Sequence, residues 1–262
     1  MPAPRPGIWR TPPMHTAPTE VVFETLTLPD GRGLVLATAA GCGTGGELWA
    51  ASRALCRWQS TMVSAIQGSC VLELGSGIGL GGLYAAALGA RSVALTDENR
   101  PVLLQNLRSN VERNKHLFDD TTSVQVQVLD WGEDIDPAGP WDFVIGSELT
   151  YSARGTRLLC QTIRQILSVG QGTSPRVVLA HQDRPSEPGG MDGSIRELAA
   201  LAEENGLLIN ELMVDPEPSF DLGYAVAMVV LEVTLAKTPV VASPAAADAD
   251  DLEDGCFWYP PR

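Results

Sequence analysis

The stretch Val71–Gly82, VLELGSGIGLGG, reads as a short buried strand, a turn through Gly75, Gly77 and Gly79, and the first turn of a helix. Glycines at such a turn let the backbone pass close to a bound ligand and adopt positive φ without a steric penalty. In open α/β sheets crevices form at the carboxyl ends of strands, so a ligand belongs over this turn. The glycine spacing alone is ambiguous, because Gly77-x-Gly79-x-x-Gly82 also satisfies a dinucleotide-binding pattern. Counted from Gly75, however, Leu80 stands where that pattern wants a small residue, and an acidic residue, Glu73, already sits inside the strand.

Working outward, short apolar runs alternate with longer amphipathic stretches. CVLEL, SVALT, VQVQVL, WDFVIGS and RVVLA read as strands, and helices are expected from about Ile78, Pro101, Thr156 and Gly193. This alternation predicts βαβ units and a doubly wound α/β sheet covered on both faces. Near Leu207–Val214 and Tyr224–Thr234 two further strands have no helix between them, which predicts a terminal antiparallel hairpin. Upstream, strands at Val21–Leu28 and Leu34–Thr38 flank the Pro29-Asp30-Gly31 turn signal and predict an N-terminal β-hairpin. A glycine-rich connection, Gly41–Gly46, follows. Leu48, Ala51, Leu55, Trp58 and Met62 then recur at helical spacing and predict one helix over Leu48–Ile66. Residues 1–19 are proline-rich and 237–262 turn acidic; both compositions read as disordered. The expected organisation is a leader (1–19), one domain (20–236, with the hairpin and helix in 20–69 and the core in 70–236) and a tail (237–262).

Composition narrows the function. A formal net charge of -14 repels phosphate backbones, and no Lys/Arg cluster offsets it, so nucleic acid is a poor partner. The same field would attract a basic partner. No apolar run approaches the roughly 18 residues of a membrane span, and the proline-broken N-terminus lacks the apolar stretch of a secretory signal. Cys42, Cys56, Cys70, Cys160 and Cys256 are odd in number and lack metal-ligand spacing, which suits reduced thiols in cytoplasm or nucleus. A monomer is expected, and no metal site.

Several side chains are placed to carry chemistry. The strand SVALTD ends in Asp97, whose carboxylate at the lip of the crevice can accept both hydroxyls of a ribose. The competing structural reading makes Asp97 or Asn99 a helix N-cap. VQVQVLDWGED puts Asp130 and Trp131 after the next strand, where a carboxylate and an indole suit an adenine. His181 closes the strand RVVLA and reads as a hydrogen-bonded structural histidine. His15, His116 and His181 have no metal-ligand spacing, and no nucleophile elbow or phosphate-loop lysine appears.

LWAASRALCRW, VLELGSGIGLGG, LTDENRPVLLQNLRSNVERN, VLDWGED and WDFVIGSELTY, taken in this order across Glu47–Ala180, resemble the family-16 methyltransferases. That resemblance implies a Rossmann-like seven-strand sheet, S-adenosyl-L-methionine as cofactor, and a lysine or, in one branch, a histidine of a protein as methyl acceptor. By position, Trp49 is similar to a tryptophan near the cofactor. Glu73, Gly75, Ser76 and Gly77 resemble the family's motif I, Asp97 its ribose ligand, Asp130 with Trp131 its adenine-side pair, and Ser147 a further cofactor contact. Glu148 and Tyr151 occupy the catalytic motif, where lysine-specific relatives carry Asp-x-x-Tyr; glutamate there is similar to the histidine-modifying branch. The expectation is a protein N-methyltransferase, lysine-directed by preference. The rivals are a small-molecule methyltransferase on the same sheet, a non-catalytic protein that keeps the crevice, and a nicotinamide-binding protein.

Overall fold

The structure is a computed structural model that describes residues 21–38, 43–133, 139–150, 152–168, 174–183, 195–215, 219–221 and 224–236. The expected leader and tail, Gly41 and Cys42 of the glycine-rich connection, and Tyr151 lie outside the described residues.

A hairpin of β1 (Phe23–Thr27) and β2 (Gly33–Ala37) comes first, followed by α1 (Ala50–Thr61) and α2 (Val63–Ile66). The core then alternates β3 (Cys70–Leu74), α3 (Leu80–Ala87), β4 (Ser92–Asp97), α4 (Pro101–Asn114), β5 (Ser123–Val128), β6 (Phe143–Ser147), α5 (Ala153–Ser168), β7 (Arg176–Asp183) and α6 (Ile195–Glu204). It ends with β8 (Leu207–Val214), β9 (Ser219–Asp221) and β10 (Tyr224–Leu235). The main sheet runs β5-β4-β3-β6-β7-β10-β8, with the short β9 paired to the start of β10. Pairings from β5 to β7 are parallel, whereas β10 lies antiparallel between β7 and β8. The terminal hairpin therefore forms as its strand patterns suggest, its second strand inserted beside β7.

Strand periodicity explains the layers. Val71, Ile145, Val178 and Ala180 join one buried cluster with α1 and α3; their neighbours Leu72, Leu74, Val144, Val177 and Leu179 join another with α5. Alternate residues of a strand face opposite sides, so each inner strand needs apolar residues throughout. The edge strand β5 instead shows polar residues on one face.

The single helix expected over Leu48–Ile66 is interrupted. It starts at Ala50 and breaks at Met62, whose φ of -114° and ψ of 16° leave the helical region. Ser60 Oγ donates to Cys56 O (2.9 Å) and Thr61 Oγ1 to Trp58 O (2.7 Å). Hydroxyls that bond back to carbonyls in this way bend a helix. Among the described residues no helix is long and apolar enough to cross a membrane.

The N-terminal hairpin is fixed by asparagines. Asn110 Oδ1 accepts from Ala37 N and Asn114 Oδ1 from Val35 N (both 2.8 Å). Their amide nitrogens return bonds to Ala37 O and Val35 O, and Asn106 Nδ2 also donates to Ala37 O. Spaced four apart on one face of α4, these side chains continue the hydrogen bonding that β2 would otherwise make with a strand.

Candidate active site

The sheet order places the topological switch between β3 and β6: from β3 the chain runs outward through β4 and β5, then returns to β6 on the other side. Four loops meet at the carboxyl ends of these strands.

The turn after β3 forms the floor. Gly75 and Gly77 have φ of 56° and 54°. A β-carbon at Gly75 would lie 2.5 Å from Leu149 Cδ2 and 3.2 Å from Trp131 Cζ2; one at Gly77 would lie 2.9 Å from Gly45 O. The turn after β3, the 43–46 turn and the loops after β5 and β6 thus close on one another with no room for side chains. Ser76 N donates to Thr96 O (2.8 Å), and Thr96 Oγ1 to Glu73 O (2.6 Å).

Asp97 stands at the rim. Its Oδ2 accepts from Gly77 N (2.7 Å) and its Oδ1 from Glu98 N (2.8 Å). Burial raises its carboxyl above the usual range while the two N–H groups pull it back. Each oxygen spends one bond on the protein, and a carboxylate has about four acceptor positions, so two hydroxyls can still be received. The helix-cap alternative is not realised: α4 starts after Arg100, with Pro101 in its first turn and no side-chain cap.

Leu129 N donates to Asp97 O (2.9 Å), extending the β4–β5 ladder by one bond and drawing Asp130 and Trp131, both half-buried, to the same end. Gly132 N donates to Thr162 Oγ1 (3.0 Å), tying this loop to α5. The Trp131 ring lies over Gly75, as the Cζ2 contact shows. Trp49 acts one layer back: its Nε1 donates to Thr44 O (2.9 Å) and so orients the 43–46 turn whose Gly45 carbonyl touches Gly77.

Glu73 takes a different direction from its neighbours in the motif. Its carboxyl lies beneath the first turn of α3, where a β-carbon at Gly81 would come 2.5 Å from Oε1. The residue is 2% exposed. Burial pushes its carboxyl to about 8; the Ser76 hydroxyl and the Gly82 and Gly81 amides oppose the rise, and Asp97 adds to it.

At the fourth loop, Ser147 is half-buried and ends β6, paired with Ala180. Glu148 N donates to Ala180 O (3.0 Å), and Glu148, buried, adopts φ 55°; it is the one non-glycine residue with positive φ among the described residues. Thr150 Oγ1 and His181 Nδ1 share a bond of 2.8 Å. Sequence patterns gave no sign of this pair's link or of the asparagine row; both join residues far apart in the chain.

These features fit a nucleoside: a tight glycine turn, a carboxylate with spare acceptor positions, and an indole packed against the turn. A family model described as lysine methyltransferase matches residues 29–189. Protein N-lysine methyltransferase METTL21A of Xenopus tropicalis is 34% identical over 126 residues, covering 48% of this chain and 57% of that protein. Protein N-terminal and lysine N-methyltransferase efm7 of Emericella nidulans is 27% identical over 181 residues, covering 64% and 68%. The chain thus spans little more than half the length of the first of these curated relatives. Among solved structures, the YcgJ protein of Bacillus subtilis superimposes with a TM-score of 0.52 at 11% identity, over 71% of this chain and 100% of that one. A SAM-dependent methyltransferase from Methanosarcina mazei gives 0.50 at 13% identity, over 65% and 94%. At such identities the structural likeness speaks for the fold.

Proposed function

The chain belongs to the lysine methyltransferase family, and from that premise we propose that it transfers methyl groups from S-adenosyl-L-methionine to a lysine side chain of a protein partner. The observation that carries this reading is Asp97 at the rim of the crevice, held by Gly77 N and Glu98 N with acceptor positions to spare beside the tight glycine turn after β3.

In this reading Asp97 receives the two ribose hydroxyls, Gly75, Ser76 and Gly77 lie under the nucleoside, and Asp130 with Trp131 faces the adenine. Glu73 supports the turn from beneath α3, Trp49 supports it through the 43–46 turn, and Ser147 borders the tail. When bound, the cofactor supplies a methyl carbon on cationic sulfur. Displacement at that carbon needs an aligned lone pair more than acid-base chemistry. A lysine amine must shed its proton to offer that lone pair, and Glu148, held at the crevice end by its bond to β7, is the group that orients the amine and receives the proton, with Tyr151 assisting. The acidic chain would draw a basic segment of the partner to the mouth, in cytoplasm or nucleus. The catalytic unit spans residues 20–236. A histidine acceptor is the second reading, favoured by glutamate rather than aspartate at position 148.

The test is titration calorimetry with S-adenosylhomocysteine on wild type and Asp97→Ala, followed by mass spectrometry of proteins incubated with labelled cofactor. Binding that weakens about 100-fold in the variant, the loss of two charge-assisted hydrogen bonds, supports the reading. No binding by wild type refutes it, and label on histidine rather than lysine selects the second reading.

A further inference from the structure

We propose that His181 is a positioning residue for Glu148, acting through its hydrogen bond to Thr150; the inference rests on the reading of this crevice as a methyl-transfer site. The geometry around the fourth loop carries it. Strands β6 and β7 pair through Ser147 and Ala180, and Glu148 N adds one more bond to Ala180 O. Glu148 itself lies in the left-handed region at φ 55°, a conformation that strains any residue with a β-carbon.

Leu149 then turns inward, its Cδ1 2.6 Å from where a β-carbon of Gly146 would sit and its Cδ2 2.5 Å from that of Gly75. A strained residue persists only when its surroundings hold it on both sides. On one side the hold is the bond to Ala180 O. On the other it is Thr150 Oγ1, which shares its 2.8 Å bond with Nδ1 of His181. His181 follows Ala180 directly, so both anchors hang from consecutive residues of one buried strand. His181 is 2% exposed and Thr150 is buried as well, so their bond is shielded from competing water. The turn that carries Glu148 is thereby clamped to β7 on both sides.

The experiment compares His181→Leu and Thr150→Val, which remove the bond, with His181→Asn and Thr150→Ser, which keep it. An asparagine amide reaches the position of Nδ1 and can turn to donate or accept, so it serves either tautomer of the histidine. Three quantities are read: amide hydrogen exchange at Glu148 and Leu149, affinity for S-adenosylhomocysteine, and kcat and KM for S-adenosylmethionine with total cell protein as acceptor. Loss of the clamp should speed exchange and lower kcat, each by about 10-fold or more, as one buried hydrogen bond implies. KM and product affinity should stay within about 3-fold, and the two conservative variants should restore both exchange and kcat. Exchange in Thr150→Val equal to wild type overturns the proposal, as does His181→Asn impaired as deeply as His181→Leu. Should His181→Leu fail to fold, the Thr150 pair, which differs only in hydroxyl against methyl, decides alone. If wild type binds no S-adenosylhomocysteine, the functional reading itself fails and takes the clamp's purpose with it; intact binding with unchanged exchange removes the clamp alone.

Discussion

Replacing Glu73 by Gln should flatten one part of the protein's stability against pH. Burial raises the Glu73 carboxyl from 4.5 to about 8, so the folded chain holds a proton there that the unfolded chain has already released. Stability must then fall as pH rises through that window: the contribution is full below pH 4.5 and gone above about pH 8. At about 1.4 kcal/mol per pH unit, the whole span is worth roughly 5 kcal/mol. Glutamine has the same shape and no charge to expose, so its stability lacks this slope.

The assay is urea unfolding of both proteins at pH 5, 6.5 and 8, which cancels every other titrating group in the difference. Relative to pH 5, the variant should gain about 2 kcal/mol by pH 6.5 and about 4 by pH 8. A difference that stays level within about 0.5 kcal/mol would refute the argument, because it would mean that Glu73 reaches water or a cation in the folded state. A difference that narrows with pH would mean that the charged form is the one preferred.

Three other substitutions test the architecture. Gly75→Ala places a β-carbon 2.5 Å from Leu149 Cδ2 at a φ of 56°, so strain and overpacking together should cost about 2–4 kcal/mol in denaturant unfolding, with Leu149 displaced in the structure of any variant that folds. Asn110→Ala removes the acceptor for Ala37 N and a donor to both Ala37 O and Ile78 O, and should cost about 2–3 kcal/mol while speeding exchange of the Ala37 amide. Arg57→Met takes away the guanidinium that meets Asp215 through Nε at 2.9 and 2.8 Å. The Asp215 side chain is 0% exposed, so unfolding should become easier by about 3 kcal/mol, with part of the loss recovered on adding Asp215→Asn.

Periodicity made the inner strands readable, because CVLEL, FVIGS and RVVLA must be apolar on both faces whatever else the protein does. The terminal hairpin was readable from a missing helix between two strand patterns. Residues at strand ends were likewise accessible: Asp97 is the last residue of β4 and Asp130 lies two residues past β5, so knowing the strand places the side chain. What escaped was long-range hydrogen bonding. Nothing in NLRSNVERN says that Asn106, Asn110 and Asn114 face a β-strand rather than solvent, since three polar residues at helical spacing ordinarily read as a wet face. The direction of Glu73 escaped for a related reason: a strand residue before a glycine turn can face either side, and here the room made by Gly81 and Gly82 draws it under α3. The break at Met62 was hidden because Ser60 and Thr61 fit a helix pattern while bonding back against it.

Three loops of the site, those after β3, β5 and β6, are tied to a neighbouring strand in the same manner, which explains how segments distant in sequence can be aligned. Ser76 N donates to Thr96 O, Leu129 N to Asp97 O and Glu148 N to Ala180 O, so three of the four loops make one ladder-like hydrogen bond to a neighbouring strand just beyond their own. The position of Asp97 relative to Gly77, of Asp130 relative to Asp97 and of Glu148 relative to β7 is therefore set by sheet register. Register is firmly specified here, because a slip of one residue would turn every apolar side chain of an inner strand to the opposite face. The burial of Val71, Leu72, Val144, Ile145, Val177 and Val178 on two faces thus supplies the precision that the proposed methyl transfer would require, and the loops need only add short turns to a geometry the core already holds.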